Sequence, residues 1–330
     1  MATATTDRST LPIGIDEIRG AAARLAPWIH RTPVLTSRTL DDITGGSVAL
    51  KCENFQKVGA FKIRGAANAL LQLGEEQRKV GVVTHSSGNH AQAVAQAGRW
   101  LGIPTVVVMP STAPSIKRAA TEGYGAQVVT CEPTLEARES TVNALIAEHG
   151  YTLVHPFDNW DVIAGQATAA LELIEQAGPL DIVMCPVGGG GLLAGTALTV
   201  KALSPSTQVI GAEPKAADDA LRSLISGRIE SSGDPKTVAD GLRTSLGEKP
   251  FQVIRTHVDA ILTATEPEIL QAMRFVWERF KIIIEPSCSV PVAPVLNRQI
   301  DIQGLKVGII ITGGNVDLEP MFAALAERWL

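Results

Sequence analysis

Asp181-Ile182-Val183-Met184-Cys185-Pro186-Val187-Gly188-Gly189-Gly190-Gly191-Leu192-Leu193-Ala194-Gly195 is the stretch that sets the fold. A short, continuously apolar run ends in four glycines and passes straight into a helix-like segment. A strand apolar on both faces is one buried between layers, as in a parallel sheet covered by helices. Successive glycines let the backbone close around a phosphate, with N–H groups aimed inward at a helix start. The same pattern repeats outward from here. Strand-like runs are Ser47–Cys52, Val80–Thr84, Thr105–Met109, Gln127–Cys131, Thr152–His155, Asp181–Pro186, Gln208–Ala212, Ala260–Thr263 and Lys306–Thr312. Between them lie helix-like stretches Ile15–Trp28, Phe61–Leu73, Asn89–Leu101, Ser115–Tyr124, Leu135–His149, Val162–Ala177, Leu192–Leu203 and Pro267–Phe280. Such alternation predicts an α/β fold with parallel sheets, and so many strands predict two sheets facing a cleft.

Bulk properties narrow the function classes. The chain has 330 residues, 45% apolar and 19% charged, a soluble globular composition. A formal charge of -5 and the lack of a basic run argue against nucleic acid as a partner. Apolar stretches such as Leu305–Thr312 are too short to span a bilayer. Met1–Leu11 is polar, lacks the apolar core of a signal peptide and is expected to be a frayed tail. Cys52, Cys131, Cys185 and Cys288 are scattered, which suits a reduced cytoplasm better than disulfides or structural zinc. The six histidines show no metal-ligand spacing and are read as mostly structural. The segments 231–235 and 301–304 read as loops.

Three further features carry chemistry. Lys62, in Ala60-Phe61-Lys62-Ile63-Arg64-Gly65-Ala66, sits in an apolar run that opens a helix. A lysine in a drier pocket loses its proton readily and condenses with an aldehyde, so Lys62 is a candidate anchor for pyridoxal phosphate. Thr84-His85-Ser86-Ser87-Gly88-Asn89-His90 joins a strand to a helix start and suits a carboxylate. Thr312, in Ile311-Thr312-Gly313-Gly314-Asn315, ends the last strand, where side chains of open α/β sheets face the ligand crevice. A rival reading stays open on these residues. Gly189-x-Gly191-x-x-Ala194, with Glu213 about 20 residues on, satisfies the dinucleotide fingerprint of an NAD-dependent oxidoreductase.

Taken together the motifs resemble the fold-type II pyridoxal-phosphate enzymes, specifically the serine racemase and serine/threonine dehydratase (ammonia-lyase) family. The 3-hydroxyaspartate ammonia-lyases are close relatives. The resemblance runs from about Ile15 to Leu318 and includes Lys51-Cys52-Glu53-Asn54-Phe55-Gln56-Lys57, Ala164-Gly165-Gln166 and Gly211-Ala212-Glu213-Pro214. It also takes in Ala217-Asp218-Asp219, Ala239-Asp240-Gly241 and Glu285-Pro286-Ser287. It implies a two-lobed, tryptophan synthase β-like fold with the active site between lobes. Residues 1–74 and 159–330 would form the large cofactor-binding domain, and 75–158 a small mobile domain that closes over the substrate.

The resemblance also assigns roles. Lys62 would hold pyridoxal phosphate and act as catalytic base, with Gly188, Gly189, Gly190 and Gly191 on its phosphate, Asn89 at the ring hydroxyl and Thr312 at the ring nitrogen. The family more often has serine at that last position. Ser86, Ser87, Asn89 and Asp240 would contact the substrate. Dedicated threonine dehydratases typically show Ser-Ala-Gly-Asn-His, whereas this chain has Ser86-Ser87-Gly88-Asn89-His90. In serine racemases that second serine is the acid–base group opposite the lysine, which makes Ser87 a second catalytic residue. Glu213, Asp219 and the Ala217 carbonyl match the family's divalent-cation site, suited to magnesium, calcium or manganese. The implied activity is elimination of water from L-serine or L-threonine, giving a 2-oxo acid and ammonia, with serine racemisation beside it. The alternative is 3-hydroxyaspartate ammonia-lyase activity. Arg243 is a candidate for the second carboxylate of such a substrate. Phe157 replaces a polar asparagine of mammalian serine racemases, so that part of the pocket is expected to be drier. A cytoplasmic homodimer, without the regulatory C-terminal domain of biosynthetic threonine dehydratases, is expected.

Overall fold

The computed structural model describes residues 11–113 and 115–326, so the tail expected over Met1–Leu11 lies outside it except for Leu11. The described strands are β1 (Val34–Thr36), β2 (Ser47–Cys52), β3 (Val82–His85), β4 (Thr105–Pro110) and β5 (Gln127–Cys131), followed by β6 (Thr152–Leu153), β7 (Ile182–Pro186), β8 (Gln208–Pro214), β9 (Ala260–Ala264) and β10 (Lys306–Ile311). They form one sheet in the order β1-β2-β10-β7-β8-β9 and another in the order β5-β4-β3-β6. The smaller sheet draws every strand from residues 82–153.

Every ladder is parallel except β1 on β2. That edge strand has no counterpart in the sequence-based expectation, because three residues after a proline give no periodicity to read. Helices Asn89–Leu101 and Leu135–His149 fall where expected. The first helix, expected to reach Trp28, stops at Leu25; Ala26 still has helical angles, but Pro27 has no N–H to continue the ladder. The short helices Arg38–Thr44, Glu75–Val80, Asp219–Ser226 and Glu248–His257 are additions to the expected set.

Topology places the site. β7 lies between β10 and β8, so connections leave it in opposite directions; β3 lies likewise between β4 and β6. Ligand crevices form at the carboxyl ends of strands at such switch points. The glycine run follows β7, Thr312 follows β10, and Ser86–Asn89 follows β3. All three motifs therefore sit where the fold opens a crevice. A shared apolar cluster joins the two sheets' helices, with Ile63, Ala66, Ala67 and Leu70 packed among Val82, Ala93, Val94 and Val162. Fully burying such a side chain contributes about 1.5–3 kcal/mol for the larger ones.

The helix that begins at Lys62 (Lys62–Leu71) packs closely on Trp160–Ala177. A Cβ on Gly165 would lie 2.4 Å from the Arg64 carbonyl oxygen, so only glycine permits this approach. Beneath that contact lies a buried charge quartet. The Arg64 guanidinium donates to Glu53 (2.7 and 2.8 Å) and to Glu172 (2.8 and 3.0 Å), while Lys51 Nζ donates to Glu172 and to the Thr32 carbonyl (2.8 Å). Arg64, Lys51 and Glu53 are fully buried. Two cations face two anions, so the cluster is neutral as a unit. Removing one charge strands the others, a loss of about 3–5 kcal/mol in comparable buried pairs. Glu53→Gln should therefore lower the unfolding free energy by about 3 kcal/mol in denaturant titration. A loss below about 1 kcal/mol, typical of exposed pairs, would show that the quartet is not acting as a unit.

Candidate active site

Lys62 is the first residue of its helix, and its amine donates to the Pro156 carbonyl at 2.8 Å. Desolvation, partly offset by the nearby Glu285 carboxylate, lowers its pKa to about 8. Around it, burial keeps the imidazoles neutral. His85 and His155 are lowered to about 4, and His90 falls well below its ordinary value. The His85 and His155 rings meet edge to face at 5.3 Å between centroids. His155 Nδ1 accepts from the Asp158 N–H at 2.9 Å, which fixes its tautomer. His85, His90 and His155 thus leave Lys62 without a competing cation.

The glycine run fits a phosphate. Gly190 is in the left-handed region at φ +87° and caps the helix Gly191–Leu203. Among the described residues, the backbone N–H groups of Gly188, Gly189, Gly190 and Gly191 have no protein acceptor. Buried N–H groups without partners are rare in native structures, so a cluster of them marks an anion site. Side chains are excluded from the loop as well. A Cβ on Gly189 would lie 2.2 Å from the Phe157 ring, so this ring forms an apolar wall against the loop.

A second set of free donors lies at the other sheet. Gly88 caps the helix Asn89–Leu101 without a side-chain bond, and its N–H donates to Ser86 Oγ at 3.2 Å. The Ser87 hydroxyl and the Ser87 and Asn89 N–H groups have no protein partner among the described residues. Asn89 Nδ2 donates to Glu285 at 3.0 and 3.1 Å. Thr312 is buried, its Oγ1 3.2 Å from Cys288 Sγ, so a ring nitrogen would share that hydroxyl with the thiol. Asp240 is exposed and pairs with Lys117 from the helix Ser115–Gly123, so its carboxylate is already engaged. Arg243 directs two of its nitrogens to the Thr237 carbonyl, which uses part of its fork on the local loop.

Glu213 and Asp219 are a separate pair. Burial pushes Glu213 up to about 8 and Asp219 up to about 6. Glu213 accepts the N–H groups of Ala220 (3.1 Å) and Leu221 (2.7 Å), so it caps the next helix and does not reach the glycine loop as a ribose ligand would. Asp219 Oδ2 is buried without a partner. The described residues hold no group of three or more acidic, histidine or cysteine side chains placed to hold a metal ion. Two carboxylates and the buried Ala217 carbonyl fit a hard cation that keeps several waters. Sequence reasoning gave no role to Glu285 or Asn315, although both lay in quoted motifs. The signal for Asn315 was its place just past the carboxyl end of β10; Glu285, the cap of Pro286–Ser289, carried no such signal.

Comparison with known proteins agrees with this chemistry. The family model described as pyridoxal-phosphate dependent enzyme matches residues 25–313. The serine racemase of Dictyostelium discoideum is 51% identical over 312 residues, covering 93% of this chain and 96% of that protein. Its crystal structure superposes with a TM-score of 0.89, covering 92% of this chain and 99% of that one. The L-threo-3-hydroxyaspartate ammonia-lyase of Saccharomyces cerevisiae is 47% identical, covering 92% and 93%. The crystal structure of the T.th. threonine deaminase has a TM-score of 0.87 at 47% identity, covering 92% and 99%. The nicotinamide reading of the glycine loop finds no support among them. Lys62, the unpartnered glycine amides and this agreement establish that the chain belongs to the pyridoxal-phosphate-dependent enzymes.

Proposed function

We propose that the enzyme eliminates water from small β-hydroxy amino acids, L-serine and L-threonine, and also interconverts L- and D-serine. The observation that carries this reading is the Lys62 amine, lowered to about 8 and set between two unfilled sets of backbone donors. One set, Gly188–Gly191, suits the cofactor phosphate; the other, at Ser87 and Asn89, suits a substrate carboxylate. The bound cofactor supplies an electron sink at the substrate α-carbon. Lys62 removes the α-proton as its neutral amine, a form that gains population as pH rises through about 8. The Phe157 ring, packed against Gly189, lines this side of the pocket with apolar surface.

The relatives' names support both this substrate class and a second reading. Serine racemase and L-threo-3-hydroxyaspartate ammonia-lyase stand at similar identity, so 3-hydroxyaspartate is the competing substrate. The engagement of Arg243 with Thr237 favours the smaller substrates. A cytoplasmic homodimer whose residues 75–158 move as a lid goes with this proposal. Four free cysteines support the reducing compartment. Among the described residues no helix is long and apolar enough to cross a membrane.

Ammonia release from L-serine, D-serine, L-threonine and the 3-hydroxyaspartate diastereomers tests the substrate class directly. We expect L-serine and L-threonine to lead; release from hydroxyaspartate alone would replace this reading with the second one. The Ser87 hydroxyl is the proposed proton donor on the face opposite Lys62, and Ser87→Ala tests its part in racemisation. The variant should lose D-serine formation and deuterium wash-in at Cα while keeping pyruvate formation. Normal racemisation by Ser87→Ala would exclude the role.

The cation site is inferred at Glu213, Asp219 and the Ala217 carbonyl, supported by the unpartnered Asp219 oxygen and the raised carboxyl pKa values. A cation would favour both ionised forms and tie the end of β8 to the helix Asp219–Ser226. Chelation should lower both activity and the thermal unfolding midpoint, and magnesium should restore both. Indifference of the two measurements to chelator would remove the metal from the proposal.

A further inference from the structure

Glu285 is a buried acid to which the proposed reaction gives no task. It precedes the short turn Pro286–Ser289, is 4% exposed, and its N–H donates to the Gly313 carbonyl at 3.1 Å. Burial pushes its carboxyl up to about 7, against the lowering effect of Asn89. Both carboxylate oxygens accept from Asn89 Nδ2, at 3.1 and 3.0 Å. The other end of the Asn89 amide is held too, since Oδ1 accepts from Asn315 Nδ2 at 2.9 Å. Asn315 Nδ2 also donates to the Val58 carbonyl at 2.7 Å.

This chain of bonds runs in one direction only. A backbone carbonyl cannot donate, so Asn315 must turn its NH2 group toward Val58, and that group then faces the Asn89 oxygen. At the far end Glu285 in its ionised form, which gains population as pH rises through about 7, cannot donate either, so Asn89 turns its NH2 group toward Glu285. Acceptor-only groups at both ends therefore fix two amide orientations that side-chain rotation would otherwise leave open. Asn89 keeps one N–H that is not already engaged. The starting point of the chain is itself unusual. Val58 is a β-branched residue in the left-handed region at φ 56°, ψ 13°, just before the helix of Lys62. Such strain persists only where surrounding contacts over-determine it.

We infer that Glu285 is a positioning residue, which with Asn315 locks the Asn89 carboxamide so that its remaining N–H is available to the ring oxygen of the cofactor. The inference rests on the cofactor reading of the Lys62 site. Without Glu285 the Asn89 amide can rotate, and a buried N–H loses its acceptor. Glu285→Gln keeps an acceptor at the same place, whereas Glu285→Ala removes it and Glu285→Asp withdraws it by one methylene.

The test measures retention of pyridoxal phosphate by the holoenzyme during equilibrium dialysis, a readout independent of turnover. Glu285→Ala and Glu285→Asp should raise the Kd by about tenfold, and Glu285→Gln by no more than about threefold. A residue acting through Asn89 should lose its effect once Asn89 is gone. The double variant Asn89→Ala/Glu285→Ala should thus bind no more weakly than Asn89→Ala alone, while independent roles would give multiplied losses. Glu285→Asp carries the same cycle if Glu285→Ala does not fold. Additive losses, or wild-type Kd in Glu285→Ala, would overturn the inference. Wild-type protein that takes up no cofactor would instead overturn the reading of Lys62 beneath it.

Discussion

The Arg64 guanidinium, clamped between Glu53 and Glu172, is the contact on which the rest of the site depends. It stands two residues after Lys62, so the rotation of the helix that aims the reactive amine is fixed by the same turn that fixes the fork. A planar fork bound to two carboxylates tolerates little rotation, and lysine could not replace it. Glu53 comes from the turn after β2 and Glu172 from the helix before β7, so three separated segments share one charge balance. Buried ion pairs are weak evidence of net stability, because desolvation offsets much of the attraction. Their effect here is to make any other register of the Lys62 helix leave a buried charge unpaired.

From that anchor the chemistry is built by backbone more than by side chains. Parallel strands end on one edge of each sheet, and their crossover helices begin there with unpaired N–H groups. The glycine run and the Ser86–Asn89 loop are two cases of this one device, on different sheets. Lys62 stands between them as an amine whose pKa is lowered by desolvation while neighbouring imidazoles stay uncharged. Lowering the proton affinity of an amine beside two sets of free backbone donors needs a dry surrounding, and Phe157 against Gly189 supplies part of its wall.

The legible part of this arrangement was the part written locally. Strands buried on both faces read as continuous apolar runs, so nine of the ten described strands were visible in the sequence; β1 was too short. Lys62, the four glycines and Ser87 stand out because each is an unusual residue type for its local segment. The Glu285–Asn89 and Asn315–Asn89 bonds span 196 and 226 residues, and no local pattern encodes them. The Asp240–Lys117 pair spans 123 residues and was invisible for the same reason. Glu213 shows a different limit. Its spacing from the glycine loop fits a ribose ligand, yet its carboxylate turns to the N–H groups of Ala220 and Leu221. Spacing reports which strand a residue ends, and side-chain direction is settled by the next element.

Lys62 is thus restrained from both ends. Behind it, the Arg64 fork fixes helix rotation; ahead of it, Asn315 fastens the strained Val58 turn from which the helix departs. The two restraints share no residue, although Glu53 and Asn315 follow the carboxyl ends of the neighbouring strands β2 and β10. The forward restraint also sets Asn89 and is terminated by Glu285, a carboxylate whose own charge favours the protonated form of the Lys62 amine. Desolvation lowers the amine's proton affinity while Glu285 raises it, and the balance near 8 depends on both. Geometry and proton affinity at the reactive nitrogen therefore converge on one buried acid, which ties the strain at Val58, the orientation of Asn89 and the basicity of Lys62 into a single structural unit.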